Sequence, residues 1–190
     1  MRAVAVTLEN ELTLDATRDR VWDLMNDVPQ VIPCIPGGRL IEAVDATTWK
    51  AEVALDLGFT RVVFLADVVR READEALGRA VLDIRAVDSK DKSRAEATMT
   101  STLAPAGSQT QVTVATELSM EGEVARFGPG IVEDVSYEIV EQMTQCLQVR
   151  LAQPVDVAQA AAPVENKLSL WRALLLFLRG RRRRRARAAR

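Results

Sequence analysis

The stretch QVTVATELSMEGEVARFGPGIVEDVSYEIVEQMTQCLQVRL, residues 111–151, changes its hydrophobic period part-way along. Val112, Val114, Thr116, Leu118 and Met120 fall on every second position, the period of a strand with one dry face. After Gly128-Pro129-Gly130 the period becomes helical. Val132, Val135, Ile139, Met143 and Cys146 form one stripe, which predicts a helix from Ile131 to about Leu151. Glu133, Asp134, Glu138 and Glu141 crowd its first half and Arg150 stands near its end, the charge order that a helix dipole favours.

Upstream, the same alternation repeats. Trp49, Ala51, Val53, Leu55 and Leu57 share a face, as do Val62, Phe64, Ala66 and Val68. So do Ala80, Leu82, Ile84 and Ala86, and then Ala95, Ala97, Met99, Ser101 and Leu103. Repeated period-2 patterning predicts an antiparallel sheet with one wet and one dry face. APAGSQ, residues 104–109, makes a hairpin connection between the last two strands. At the N-terminus Val4, Val6, Leu8, Leu12 and Leu14 give an opening strand. A short amphipathic helix follows on Val21, Leu24 and Met25, with Thr17 placed to cap it. Pro29, Pro33, Pro36 and Gly37-Gly38 break the next segment into turns. The fold class is therefore α+β, a curved antiparallel sheet wrapped around one long C-terminal helix, a helix-grip arrangement.

Beyond the long helix, AQPVDVAQAAAPVEN is small, polar and proline-bearing and reads as a linker. ENKLSLWRALLLFLRG then places Leu168, Leu170, Trp171, Leu174, Leu175, Phe177 and Leu178 on one half of a helical wheel. Seven of the last ten residues are Arg, among them Arg181, Arg182, Arg183, Arg184 and Arg185. The chain has 25 Lys and Arg and 27 Asp and Glu; ten of the former and one of the latter lie in 164–190, a net of +9. The remainder holds 15 and 26, a net of −11. An apolar helix face followed by an arginine cluster supplies the two signals that attachment to an anionic membrane surface needs. Leu168, Trp171, Leu174, Leu175, Phe177 and Leu178 would enter the surface, and Arg179 with Arg181–Arg185 would meet the lipid headgroups. The longest apolar run, Ala173–Leu178, is six residues, far short of the ~20 that span a bilayer. Nucleic-acid binding would leave the apolar face without a role, and the body is too acidic to assist it. The competing reading has this segment folding back on the acidic body.

The composition excludes much chemistry. The chain has no histidine, so Ser-His-Asp and Cys-His nucleophilic catalysis are absent and most zinc sites with them. It has no phosphate-binding P-loop and no GxGxxG fingerprint. No pair of carboxylates falls where the pattern predicts burial, so acid–base catalysis has no candidate pair. Cys34 and Cys146, far apart in sequence, read as small buried hydrophobes. MRAVAVTLENELTLD has no signal-peptide character, which predicts a cytoplasmic body. Asn10 falls on the inward side of the first strand; a buried amide there needs a partner, and serves either a bend in the strand or a polar handle for a ligand carbonyl. Trp22 reads as a core anchor, Asp27 as a turn residue, and Tyr137 faces either sheet or solvent.

VWDLMNDVPQVIPCIPGG resembles the pattern of the carbon monoxide dehydrogenase G-subunit family, in the START-like superfamily of ligand-binding domains, through Val21, Trp22, Asp27, Cys34, Ile35, Pro36 and Gly37. EGEVARFG, with Gly122, Ala125 and Gly128, resembles that family's Gly-x-x-Ala-x-x-Gly approach to the long helix. LDLG ending at Gly58 and GSQTQVTV resemble its intervening strand signals, and the likeness runs from about Val6 to Leu151. The chain departs from the family at Asn10, where glycine is common, after Gly58, where proline is common, and at Cys146 and Leu147, near a common aromatic.

The resemblance implies a START-like cavity for an apolar ligand, between the sheet and the long helix. Its candidate lining is Trp22 from the first helix; Leu55, Phe64, Ala66, Val68, Leu82, Ile84, Ala97, Met99 and Val114 from the strands; and Val135, Ile139 and Met143 from the long helix. It implies no catalytic residue, no metal and no covalent cofactor, with a bound quinone or lipid instead. It also implies a partner, a molybdenum hydroxylase of the carbon monoxide dehydrogenase type, which the chain recruits or serves at the cytoplasmic face of the membrane as a peripheral accessory protein. The boundaries expected are a START-like domain over 1–152, a linker over 153–164, an amphipathic helix over 165–180 and a polybasic tail over 181–190. A solid membrane-recruitment adaptor and an enzyme of the polyketide-cyclase kind are the competing readings.

Overall fold

The computed structural model describes residues 3–56, 61–90 and 92–153. Leu57, Gly58, the linker from residue 154 on, the amphipathic segment and the arginine tail lie outside them.

Seven strands form one antiparallel sheet: β1 Val4–Leu14, β2 Gly38–Ala43, β3 Thr48–Asp56, β4 Arg61–Asp74, β5 Arg79–Asp88, β6 Ser93–Ala106 and β7 Gln109–Gly122. Their order is β1-β7-β6-β5-β4-β3-β2. Strands β2 to β7 form a meander, and β1 closes onto β7 in unbroken register from Val4 opposite Met120 to Leu14 opposite Thr110. Register shifts at Leu40/Glu42 and Arg70/Glu72 insert extra residues, which bend a strand and increase its twist. The β6–β7 hairpin is tighter than the expected six-residue loop. Pairing continues through Ala106 and Gln109 and leaves only Gly107-Ser108 at the turn.

Between β1 and β2 lie α1 Arg18–Asn26, α2 Val28–Val31 and a single 3₁₀ turn over Ile32–Cys34. This segment is more regular than its prolines suggest, because Pro29 and Pro33 take opening helical positions, where a missing N–H costs nothing. Thr17 does stand at the start of α1, but its side chain caps nothing. Asp27 makes the junction instead, ending α1 and accepting from the Gln30 N–H at the start of α2. The β2 strand is absent from the alternating runs because it is an exposed edge strand in which only Gly38 and Leu40 are half-buried. A second 3₁₀ turn over Val124–Arg126 leads into α3, Gly128–Ala152, which starts three residues before the expected Ile131.

α3 packs along β1 and reaches α1 and the Ile32–Cys34 turn. The buried residues form three clusters. The largest joins Leu12, Leu14, Val112, Val114 and Leu103 of the sheet to Val21, Trp22 and Leu24 of α1 and Cys146, Leu147 and Leu151 of α3. A second holds Val28, Ile32, Trp49, Ala51 and Val68. A third holds Val6, Leu8, Met120 and Val124, with Phe127 and Val132 against it.

The two cysteines correct the reading from sequence. They are buried, as expected, but they are not free: Cys34 and Cys146 form a disulfide with their Cα atoms 5.4 Å apart, tying the turn before β2 to the last third of α3.

Candidate ligand-binding site

The helix face of β1 carries Val6, Leu8, Asn10, Leu12 and Leu14. All are buried except Asn10, which is half-buried. Asn10 falls between two core clusters, with Val6 and Leu8 in one and Leu12 and Leu14 in the other. The same gap crosses the sheet. On β7 Met120 belongs to one cluster and Val112 and Val114 to the other, with Thr116 between. On β6 Ala95 and Met99 pack against different clusters, and Ala97 packs against neither. On α3 Val132 packs with one cluster and Val140 and Met143 with the other, leaving Val135, Ser136 and Ile139 between them, all half-buried. A cleft floored by small and apolar side chains therefore separates the two ends of the core.

Across that cleft the Asn10 Nδ2 donates to the Ser136 Oγ at 3.0 Å. The unshifted β1–β7 register means that Asn10 does not serve a bend in the strand. Ser136 was missed by the sequence reading. Its signal was its spacing, four residues after Val132 and four before Val140, which puts it on the inward stripe.

The residues expected to line a cavity divide between packed and open positions. Trp22, Ala66, Val68 and Val114 are buried. Leu55, Phe64, Leu82, Ile84, Ala97, Met99, Val135, Ile139 and Met143 are all half-buried. Trp22, Val114, Met99 and Met143 share the largest cluster; Val68, Leu82 and Ile84 share the second; Phe64 packs in the third. A cavity of about 510 Å³ lies against Ala5–Thr7, Asp83–Arg85, Glu96–Thr98 and Glu117–Ser119, and so includes Ile84 and Ala97 but no residue of α3. Strand alternation places Val6, Ile84, Ala97 and Leu118 on the helix side of the sheet and Asp83, Arg85, Glu96 and Glu117 on the other. A second hollow, of about 380 Å³, lies outside α1 and is lined by Trp22, Asn26, Trp49 and Arg70 among others. There the Arg70 guanidinium stacks over Trp49, 5.3 Å from the ring centre, and donates to the Asn26 and Ala46 carbonyls.

The chemistry available is that of binding. Among the described residues no group of His, Cys, Asp or Glu is arranged to hold a metal ion. Asp88 is the one buried carboxylate among them, so no buried acid pair forms. Tyr137 is exposed to solvent.

The Cys34-Ile35-Pro36-Gly37 block acquires a physical account. Cys34 enters the disulfide, Pro36 is among the most deeply buried side chains, and Gly37 adopts φ +73° where a Cβ would come within 2.1 Å of the Ala54 carbonyl oxygen. The block thus fixes the approach to β2 against both β3 and α3. Residues 11–152 match the CoxG family, described as the G subunit of carbon monoxide dehydrogenase. The chain belongs to that family.

Members of the CoxG family take their name from an enzyme complex, and the fold agrees with the START-like expectation. A conserved protein from Geobacillus kaustophilus superimposes with a TM-score of 0.69 at 19% identity, covering 77% of this chain and 95% of its own. Truncated norcoclaurine synthase from Thalictrum flavum gives 0.57 at 14%, covering 81% and 98%. The Mll3558 protein from Rhizobium loti gives 0.55 at 15%, covering 77% and 99%. At these identities the likeness establishes the helix-grip, START-like fold alone. No curated protein matches the sequence.

Proposed function

We propose that this CoxG-family chain is a non-catalytic accessory protein that holds an apolar ligand, a quinone or a lipid, in the cleft between α3 and the sheet. The observation that carries the reading is the break between the two core clusters at Asn10, Thr116, Ala97 and Ile139. Protein interiors are close-packed, and a cleft floored by half-buried apolar side chains gives up contacts that closure would regain. An apolar guest restores them, and clefts of this composition are where such guests bind.

The family name supplies the partner, a carbon monoxide dehydrogenase-type molybdenum hydroxylase. Such an enzyme hands electrons to a carrier, and the apolar carrier held in membranes is quinone. A cleft protein attached to the membrane by Leu168–Leu178 and the arginine run would extract quinone and present it to the enzyme. Among the described residues no helix is long and apolar enough to cross a membrane, which accords with attachment at the surface. Placement on the cytoplasmic face requires the disulfide to persist among reducing thiols. Cys34 and Cys146 are 3% and 7% exposed, and thiol exchange needs access to a sulfur.

The test is organic extraction of protein purified from its own host, followed by mass spectrometry. A quinone or lipid present at about one per chain is expected. Ligand-free protein that still binds both membrane vesicles and the hydroxylase would replace the carrier with a pure recruitment adaptor. Turnover of an added polyketide would make the protein an enzyme instead.

A further inference from the structure

We infer that the Asn10–Ser136 pair is the polar reader of the cleft, selecting apolar ligands that carry a carbonyl oxygen. The inference rests on the ligand-binding reading above and adds which ligands are chosen.

Asn10 stands where the helix face of β1 is otherwise buried and aliphatic, flanked by Leu8 and Leu12. It sits opposite Val114 on β7, and the next inward residue of that strand is Thr116. Across the cleft Ser136 lies between the apolar positions Val132 and Val140. Two polar side chains are thus placed face to face within an apolar wall, at the break between the core clusters.

Their hydrogen-bonding capacity is only partly used. A carboxamide has two N–H donors and an oxygen with two lone pairs; a hydroxyl has one donor and two acceptor sites. One Asn10 N–H goes to the Ser136 Oγ. Among the described residues the Asn10 Oδ1 accepts from no group and the Ser136 hydroxyl donates to none. The nearby Thr144 on the same helix differs, since its hydroxyl is spent on the Val140 carbonyl of its own turn. Ser136 therefore retains a proton to give, oriented by the amide that donates to its oxygen, and Asn10 retains a second N–H. Two donors on facing elements suit an oxygen that only accepts. That is the carbonyl of a quinone ring, and equally the ester carbonyl of an acyl lipid. A hydrocarbon would leave both donors unpaired, and sites built to hydrogen-bond a guest discriminate against the analogue that lacks the group.

The test compares three probes on the full-length protein by equilibrium dialysis: decylubiquinone, a long-chain fatty acid methyl ester, and a hydrocarbon of similar length without oxygen. Asn10→Leu and Ser136→Ala should each weaken a carbonyl probe about tenfold and leave the hydrocarbon unchanged or tighter. Ser136→Thr, which keeps the hydroxyl, should retain most of the affinity. Loss confined to decylubiquinone assigns the reader to a quinone; equal loss for the ester assigns it to carbonyls in general. Both variants should melt at or above the parent temperature. Equal weakening of all three probes would make the pair a structural clasp and overturn the inference. Undiminished carbonyl binding in both variants would overturn it while leaving the apolar cleft intact. Failure of the parent protein to bind any probe would instead remove the ligand-binding reading itself, and the inference with it.

Discussion

Arg150 donates its Nε–H to the Cys34 Sγ at 3.2 Å, and Cys34 is bonded to Cys146, one turn before Arg150 on the same helix. Arg150 is 7% exposed, and among the described residues its guanidinium has no carboxylate partner. The disulfide and this hydrogen bond therefore fasten α3 to the turn before β2. A cross-link spanning 112 residues limits the unfolded chain strongly, by roughly 2–5 kcal/mol on removal. Reduction, or either Cys→Ala change, should lower stability by about that amount in denaturant melts. Cys34→Ala should cost about 1 kcal/mol more than Cys146→Ala, because it also leaves the buried Arg150 donor without an acceptor. Equal losses would show that the sulfur contact contributes nothing.

Gly122 and Gly130 lie either side of the junction between β7 and α3 and should respond to alanine in opposite ways. Gly122 has φ +81°, and a Cβ there would come within 2.0 Å of the Lys92 carbonyl oxygen. Backbone must move, so Gly122→Ala should destabilise by roughly 2 kcal/mol or more. Gly130 is helical with open space around it. Gly130→Ala should stabilise by about 0.5–1 kcal/mol. Thermal unfolding of the two variants separates them, and a destabilised Gly130→Ala would mean that the helix begins beyond this residue.

Ala97 and Ala66 test where the open space lies. Ala97 is half-buried and belongs to no core cluster, whereas Ala66 is 7% exposed and paired with Ala51 and Ala86 across β3 and β5. Ala97→Phe should change stability by less than about 1 kcal/mol and reduce co-purifying ligand. Ala66→Trp should overpack and cost about 1–3 kcal/mol or more. Comparable destabilisation by both would describe a solid core.

Asp45, in the β2–β3 turn, accepts from the Thr47 N–H and hydroxyl, and these bonds hold its carboxyl below the usual carboxylate range. A lowered folded-state pKa gives stability that is present above the unfolded pKa and fades as pH falls through the folded one. Asp45→Ala should therefore loosen the turn at neutral pH, and its difference from the parent should vanish in acid. Hydrogen exchange at Thr47 and Thr48 against pH would show this; a difference that persisted in acid would remove the carboxylate from the account.

Membrane attachment is tested on the segment beyond the described residues. Truncation before Val164 should leave a folded body that no longer sediments with anionic liposomes. Salt should weaken binding of the full chain, since each arginine near the surface contributes ~1 kcal/mol of screenable attraction. Trp171→Asp should reduce binding more than Arg172→Asp, because only the former puts a charge into the apolar face. Equal sedimentation of truncated and full-length protein would assign the arginines to another partner.

The sequence by itself determined the sheet, the long helix and the cleft-facing sides of both, because those follow from local period. Alternation put Val6, Leu8, Asn10, Leu12 and Leu14 on one face of β1, and the 3.6-residue stripe put Val132, Val135 and Ile139 on one face of α3. The CoxG family was legible too, through a short block in which Cys34, Pro36 and Gly37 each meet a steric demand. Tertiary structure alone decided the pairings between distant segments. Nothing local to Cys34 announces Cys146, nothing near Asn10 announces Ser136, and Arg150 turns inward only because a sulfur waits there. The edge strand β2 escaped the sequence for a related reason. Its face is scarcely buried, so no alternation records it, and its place comes from its pairing with β3. Period reports which way a side chain points; what it meets depends on how elements far apart in the chain come to lie against each other.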